Sequence, residues 1–462
     1  MTDRTYNMPY IWKISLVAAL GGLLFGYDWV VIGGAKPFYE KYFHLTSAFQ
    51  VGWAMSSALL GCLLGAVASG LLSDRFGRKR LLILAGALFT LSAIGTALSN
   101  SFDVFILFRL LGGLGIGLAS NLSPMYIAEA SPAEMRGRFV SLNQLTIVIG
   151  ILAAQVSNWL IAQPMAADAT AAEILNSWNG QVGWRWMFGA ETVPAAAFFL
   201  LAFLIPESPR WLVKRGLLDQ GRRILAKIGG ESYGDFEIRD IQRTLENDKS
   251  AAGLAELRRP GMMKILLLGV ALAVFQQWCG INVIFNYAEE IFSAAGYGVS
   301  AILFNIVITG AVNLLFTFIA ISTVDRWGRR PLMLIGAAGL AVTYLVLGAG
   351  YFLQSTGVHM LALVVTAIGI YAMSLAPITW VVISEIFPNR IRGAAMSIAV
   401  SALWIACFAL TYSFPFLNRS LGNAGTFWIY AGICVIGFLF IKARLPETKG
   451  KSLEEIERAL LG

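Results

Sequence analysis

Charge is scarce in this chain. Lys and Arg number 35 and Asp and Glu 27 among 462 residues, 13% together, against 57% hydrophobic residues and a mean hydropathy of +0.69. So little charge, spread among apolar runs this long, excludes a soluble globule and leaves a polytopic helical membrane protein. Histidine is nearly missing as well. His44 and His359 stand in or beside connections between apolar runs, so no metal-ligand cluster can be drawn. Cys62, Cys279, Cys407 and Cys434 all lie within apolar segments, which marks them as small buried residues and not a disulfide framework. No nucleophile–base pair and no phosphate-binding loop falls in a soluble segment. An enzyme is therefore not expected, nor a cofactor or a resident metal. No small-residue cleavage site follows the first apolar run, which reads as a retained span and not a signal peptide.

The charge that is present is placed unevenly. The formal net charge is +8, and the basic residues gather at 75–80, at Arg136 and Arg138, within 210–264 and within 442–451. The alternate connections are nearly free of Lys and Arg. This is the positive-inside pattern, which sets orientation and does not point to nucleic acid. The basic side is expected to be the cytoplasm, with both termini on it.

One acid breaks the apolar pattern. The run 11–32 is long enough to span a bilayer, yet it carries Asp28 past its middle, in Gly21-Gly-Leu-Leu-Phe-Gly-Tyr-Asp-Trp-Val-Val-Ile-Gly-Gly34. A charge at that depth costs roughly 2.5–3.5 kcal/mol on insertion scales and is tolerated where it finds a partner in the bundle interior. Arg109 is the cation inside the next few spans. The two read as a protonatable pair that drives transport in preference to a static ion pair joining two helices.

Twelve spans are expected, near 11–33, 50–72, 80–99, 102–128, 139–162, 185–205, 263–291, 300–323, 331–353, 360–386, 393–416 and 425–444. Between the sixth and seventh, 210–259 is Lys/Arg-rich with amphipathic pieces such as 217–228. It reads as a linker of short cytoplasmic helices, with a minor second use on anionic lipid. The implied division is a bundle over 1–206, the linker over 207–262, a second bundle over 263–446 and a cytoplasmic tail over 447–462.

The two halves repeat. Gly70-Leu-Leu-Ser-Asp-Arg-Phe-Gly-Arg-Lys-Arg80 returns as Ser322-Thr-Val-Asp-Arg-Trp-Gly-Arg-Arg330, Glu129 with Arg136 returns as Glu385 with Arg392, and Pro206-Glu-Ser-Pro-Arg210 is echoed by Pro446-Glu-Thr-Lys-Gly450. The offsets are 251 for Asp74 and Asp325, 256 for Glu129 and Glu385, and 240 for Pro206 and Pro446. Three motifs in one order, at similar offsets, mark a duplicated six-helix unit. Parallel repeats of this kind are an architecture of secondary transporters.

These residues carry a resemblance. Asp-Arg-x-Gly-Arg-Arg/Lys after spans two and eight resembles the signature of the major facilitator superfamily. The two Pro-Glu-Ser/Thr motifs and Gln276-Gln-Trp-Cys-Gly-Ile-Asn282 narrow it to the sugar porters. The chain is similar to bacterial proton–xylose symporters and, more distantly, to facilitative glucose transporters. The resemblance implies an all-α membrane protein of twelve helices in two pseudo-symmetric bundles. It implies import of a monosaccharide with a proton by alternating access. The partners are the sugar, the proton and the bilayer; the chain is expected to act as a monomer in a bacterial inner membrane.

By the same resemblance, two clusters gate the cytoplasmic side: Asp74, Arg75, Arg78, Glu129 and Arg136, and their counterparts Asp325, Arg326, Arg329, Arg330, Glu385 and Arg392. Exposed ion pairs are individually weak and exchange readily, so they suit a latch that opens as the halves rock. Their other use is to enforce topology.

A sugar site needs amides and flat aromatic faces, and amides inside spans are costly enough to be informative. Gln144 and Gln155 are three turns apart on one face of span five. Gln276 and Gln277 precede Gly280, where a glycine loosens span seven, and Asn282 and Asn286 lie one turn apart beyond it. Asn313 adds an amide in span eight, and Pro377 interrupts span ten before Trp380. The family's sugar-binding positions match Gln144, Gln276, Gln277, Asn282, Asn313 and Trp380. Gln155, Asn143 and Asn305 read as helix–helix contacts. The pattern departs from the xylose symporters at Asn286, where a tyrosine is expected, at Leu375, at Leu403 and Cys407 in place of amides, and at Trp29 in place of a small residue. One wall is thereby more apolar, which suits a substrate with fewer hydroxyls there, such as a deoxy sugar, another modified monosaccharide or a polyol.

Asp28, Arg109 and Glu191 match the proton-coupling positions of bacterial symporters, and facilitative relatives lack the first acid. Coupling needs a carboxyl that takes up a proton in one state and releases it in another. Pairing with Arg109 favours the ionised form, and separation favours the protonated one, with Glu191 receiving the freed Arg109. A uniporter is the nearest rival, disfavoured by Asp28. A sugar receptor is disfavoured by the short tail, and a multidrug antiporter by the Gln276–Gln277–Asn282 group.

Overall fold

Among the described residues, ten helices are long and apolar enough to cross a bilayer. The computed structural model describes residues 6–248, 257, 259–388, 391–451, 455, 456, 458 and 460, and the side chains of 246–248, 324, 325 and 393 lie outside that description. The expected linker and tail therefore fall in part outside the described residues.

The first five spans are α1 (Met8–Tyr42), α2 (Ala48–Phe76), α3 (Arg78–Leu98), α4 (Phe102–Ala130) and α5 (Arg136–Ile161). The short α6 (Ala171–Asn176) and a single π turn (Asn179–Gly183) lead into α7 (Trp184–Gly189) and α8 (Thr192–Ala202), which together make the sixth span. Its break falls at Glu191, just before Pro194. The linker helices are α9 (Pro209–Lys214), α10 (Leu218–Gly229) and α11 (Glu231–Asp248). The second half runs through α12 (Pro260–Trp278), α13 (Ile281–Asn286), α14 (Ala288–Ala294), α15 (Val299–Trp327), α16 (Arg329–Phe352), α17 (Val358–Met373), α18 (Leu375–Ile386) and α19 (Arg392–Arg444). The 53 residues of α19 hold two spans, divided at Gly422, whose φ of 67° and ψ of 176° are not helical. With the broken sixth span, the count reaches twelve, in two six-helix bundles.

Local chemistry accounts for the boundaries. Ser47 and Gln50 form a capping box at the start of α2, and Ser101 caps α4 through the Val104 N–H. The duplicated Asp-Arg-x-Gly-Arg motif makes the same turn twice. Gly77 and Gly328 both have φ of 89°, a conformation that glycine adopts without the cost a side chain brings, and each reverses the chain between two spans. Span seven breaks at Gly280, as its sequence suggests, with φ of 88°. Span ten breaks at Ser374, three residues before Pro377. Proline has no N–H to bond the carbonyl of Met373, so the turn preceding it opens.

One boundary differs from expectation. Span one was placed at 11–33, but α1 continues to Tyr42 through Pro37. Lys36 is thereby brought inside the protein, only 1% exposed. The sequence placed it beyond the span because an apolar window ends where a cation begins; carboxylates from the other half supply what the window cannot see.

In the first bundle α1 packs on α4 and α5, and α2 and α3 pack on α4; in the second, α19 packs on α12 and α16, and α15 on α17. The bundles meet along two seams, α2 against α19 and α5 against α15. Polar contacts tie the halves on the side away from the basic loops. The Lys36 ammonium reaches Glu289 at 3.0 Å, the Met165 N–H donates to Ser300 Oγ at 2.9 Å, and Arg419 donates to the Thr46 carbonyl at 2.5 Å.

Candidate functional site

Asp28 and Arg109 meet. Both are 2% exposed, and an Arg109 Nη1–Asp28 Oδ1 ion pair joins α1 to α4 across 81 residues of chain. Arg109 Nη2 also donates to the Asp28 carbonyl at 3.4 Å, and its guanidinium lies 5.7 Å from the Phe188 ring centroid. The approach depends on Gly112, one turn further along α4. A Cβ there would stand 2.7 Å from Asp28 Oδ2. Glu191 is buried, and its carboxyl feels the charges of both Asp28 and Arg109. Asp28 Oδ2, Arg109 Nε and Glu191 Oε1 have no hydrogen-bond partner among the described residues. Buried polar atoms left so are uncommon, and a functional role is one of the reasons for them. Against Arg109 lies a cavity of about 10 Å³, room for about one water, lined also by Trp29, Cys62 and, from the second half, Asn286.

The amides gather around the break in span seven. Gln276 Nε2 donates to Tyr371 Oη at 2.7 Å, and Gln277 Nε2 donates to Gln276 Oε1 at 2.5 Å. Asn282 Nδ2 donates to Gln277 Oε1 and lies 3.6 Å from Cys407 Sγ. Gln276, Gln277, Asn282 and Asn286 are all buried, and so is Asn313 on α15. Gln144 on α5 is half-buried. Trp380 leaves 38% of its surface exposed. Tyr371 gives no signal in the sequence, because a tyrosine within an apolar run reads as core. Leu403 is buried beside Trp404, and the Trp404 ring lies 6.0 Å from Phe25 and 5.9 Å from Trp29. These three rings close an aromatic triangle between the halves. Elsewhere, Asn143 packs against Gly22, and Thr146 and Asn158 bond α1 carbonyls, which makes a polar seam inside the first bundle.

On the basic side each half carries its own network. Arg78 makes two hydrogen bonds of 2.9 Å to Glu129 and stands 3.5 Å from Asp74, which also pairs with Lys214 at 2.8 Å. Ser208 Oγ donates to Glu129 at 2.5 Å. Arg329 repeats the pattern on Glu385 at 3.1 Å, with Thr448 Oγ1 donating to Glu385 at 2.6 Å. Glu207 accepts the N–H groups of Arg78 and Lys79, and Glu447 those of Arg329 and Arg330 at 3.0 and 3.1 Å. Each acid thus sits on a helix N-terminus, where free N–H groups favour an anion. Burial pushes the Glu447 carboxyl up, but hydrogen bonds from the Lys449, Arg329, Arg330 and Thr448 backbone outweigh it and hold it below the usual range. Arg75 lies over the Phe76 ring, the Arg326 carbonyl accepts from Lys449, and Arg330 donates to the Lys442 carbonyl. Arg392 donates to the Phe387 carbonyl, and Arg136 is exposed at the start of α5. The Asp325 side chain lies outside the described residues. Glu207, Ser208, Glu447 and Thr448 were visible in the sequence as a repeat, though not as members of these networks.

Residues 14–460 match the model of a family described as sugar (and other) transporter. The chain is 39% identical over 486 residues to the D-xylose-proton symporter of Escherichia coli (strain K12), covering 98% of this chain and 96% of that one. It is 41% identical over 456 residues to the arabinose-proton symporter of Bacillus subtilis (strain 168), again over 98% and 96%. Among solved structures it resembles the inward open conformation of the xylose transporter from E. coli, with a TM-score of 0.85 at 38% identity over 97% of this chain and 99% of that one.

Proposed function

The chain belongs to the sugar porter family of the major facilitator superfamily, and we propose that it imports a monosaccharide together with a proton by alternating access. The observation that carries this reading is the buried Asp28–Arg109 pair, set against a cavity that Asn286 of the sugar-facing half also lines. A facilitative uniporter needs amides for the sugar but no buried acid on α1. An ion pair this enclosed is costly to keep for stability alone, since well-packed apolar residues of similar volume often do as well.

In the proposed cycle Asp28 takes up a proton from outside, releases Arg109, and Glu191 receives the guanidinium. Gln144, Gln276, Gln277, Asn282, Asn286, Asn313 and Trp380 hold the sugar. The bundles 1–206 and 263–446 rock about it, with both termini and the linker in the cytoplasm. The Arg78–Glu129 and Arg329–Glu385 clusters stiffen helix ends on that side and change partners as it opens and closes. The apolar wall at Leu375, Leu403 and Cys407 favours a deoxy sugar or a similarly modified monosaccharide. The monomer suffices, since each bundle supplies one wall of the cavity.

The test is uptake into proteoliposomes under an imposed inward proton gradient, over pentoses, hexoses, 6-deoxy sugars and polyols. Accumulation of one sugar that collapses with a protonophore is the expected result. Equilibration without accumulation would make the pair structural, and clear preference for glucose or xylose over fucose and rhamnose would refute the deoxy-sugar reading.

A further inference from the structure

Two turns beyond Asp28 on α1, the buried Lys36 ammonium touches three carboxylates. Glu40, on its own helix, lies at 3.0 Å. Glu289 and Glu290, on α14 of the other half, lie at 3.0 and 2.5 Å. The Tyr287 ring, between α13 and α14, is 5.9 Å from the nitrogen. One turn earlier the two backbones are in contact: a Cβ on Gly33 would stand 2.7 Å from the Phe285 carbonyl oxygen and 3.2 Å from that of Asn286. The ion pairs on α14 and the backbone contact on α13 together hold the second part of span seven, which carries Asn282 and Asn286, against the helix that carries Asp28.

A buried ammonium that loses its carboxylates is strongly destabilising unless water replaces them. Water is near. A cavity of about 290 Å³, on the side away from the basic loops, is lined by Lys36, Glu40, Glu289 and Glu290 together with Asn418 and Arg419. The cavity already reaches the three carboxylates, and separation of α1 from α14 would extend it around the ammonium. The cluster then has two arrangements open to it, one paired about a buried ammonium and one hydrated and apart.

We propose that Lys36 is a positioning residue for transport, an ionic clamp that holds the sugar-facing break of span seven closed over the proton-coupling pair and so sets the balance between the two access states. The clamp rests on the alternating-access reading above but not on the identity of the sugar or on proton coupling. Removing the ammonium leaves three carboxylates facing one another across the halves, which favours opening.

The experiment places spin labels at Thr46→Cys and Ala294→Cys, exposed positions on either half, in the full chain reconstituted in lipid, without sugar. The short distance should dominate in the parent protein. Lys36→Met should raise the long-distance population roughly tenfold, and the charge-swapped pair Lys36→Glu with Glu289→Lys should return it most of the way. Should Lys36→Met fail to fold, Glu289→Gln with Glu290→Gln removes the same cross-half pairs without stranding a buried charge, and the same shift is expected. An unchanged distribution in whichever variant folds would overturn the clamp. So would a shift that the charge swap fails to reverse, which would assign Lys36 to packing. The readout needs no gradient, so loss of the symport reading and loss of the clamp are separate outcomes.

Discussion

Gly112 and Asp28 are in contact in a way that admits no side chain between them: a Cβ on Gly112 would stand 2.7 Å from Asp28 Oδ2 and 2.5 Å from Ser92 Oγ. The glycine is what lets an acid on α1 lie flat on α4, within reach of Arg109 one turn away. Gly112→Ala should therefore displace the carboxylate and reduce proton-driven accumulation. Overpacking of this kind costs about 1–3 kcal/mol of stability. Melting in detergent and uptake should fall together, whereas Gly70→Ala, inside α2 where a Cβ meets nothing within 4 Å, should leave uptake unchanged and melting the same or slightly higher.

Tyr371 accepts the hydrogen bond of Gln276 Nε2. In Tyr371→Phe that buried donor loses its partner, and the proposed sugar ligand Gln276 is free to turn away. A loss of about 1 kcal/mol is expected, read as roughly fivefold weaker sugar binding. The ratio of protons to sugar should stay as in the parent, because Tyr371 does not touch the Asp28–Arg109 pair.

Glu447 gives a pH signature. Its carboxyl is held below the ordinary value of 4.5 by backbone N–H groups that bind the anion. A depressed carboxyl contributes stability that is present above the unfolded value and is lost as pH falls through the folded value. The difference in melting temperature between the parent and Glu447→Gln should thus be full at pH 7 and shrink below about pH 4.5. A difference that stayed constant into acid would assign Glu447 to packing alone.

Much of this molecule could be read before its structure. The twelve spans, the duplication, the break at Gly280 and the contact between Asp28 and Arg109 all leave marks in composition or spacing, because a charge or a glycine within an apolar run is a cost that needs a reason. Tyr371 leaves no such mark, since its hydroxyl matters only through a glutamine 95 residues away. Lys36 is hidden by its own charge, which ends an apolar window, and by two of its three partners lying 253 and 254 residues further on. Its signal was there in part, as two adjacent glutamates directly after Tyr287 and Ala288. Ser208 and Thr448 belong to networks that only packing of the span ends assembles.

The most direct test of the account compares the parent protein with Asp28→Asn in proteoliposomes, with the accepted sugar and an inward proton gradient. The parent should concentrate the sugar and lose that capacity with a protonophore. Asp28→Asn should only equilibrate it, while still exchanging labelled for unlabelled sugar across the membrane. Concentration of sugar by Asp28→Asn would contradict the central claim and leave the buried pair as a structural bond between α1 and α4.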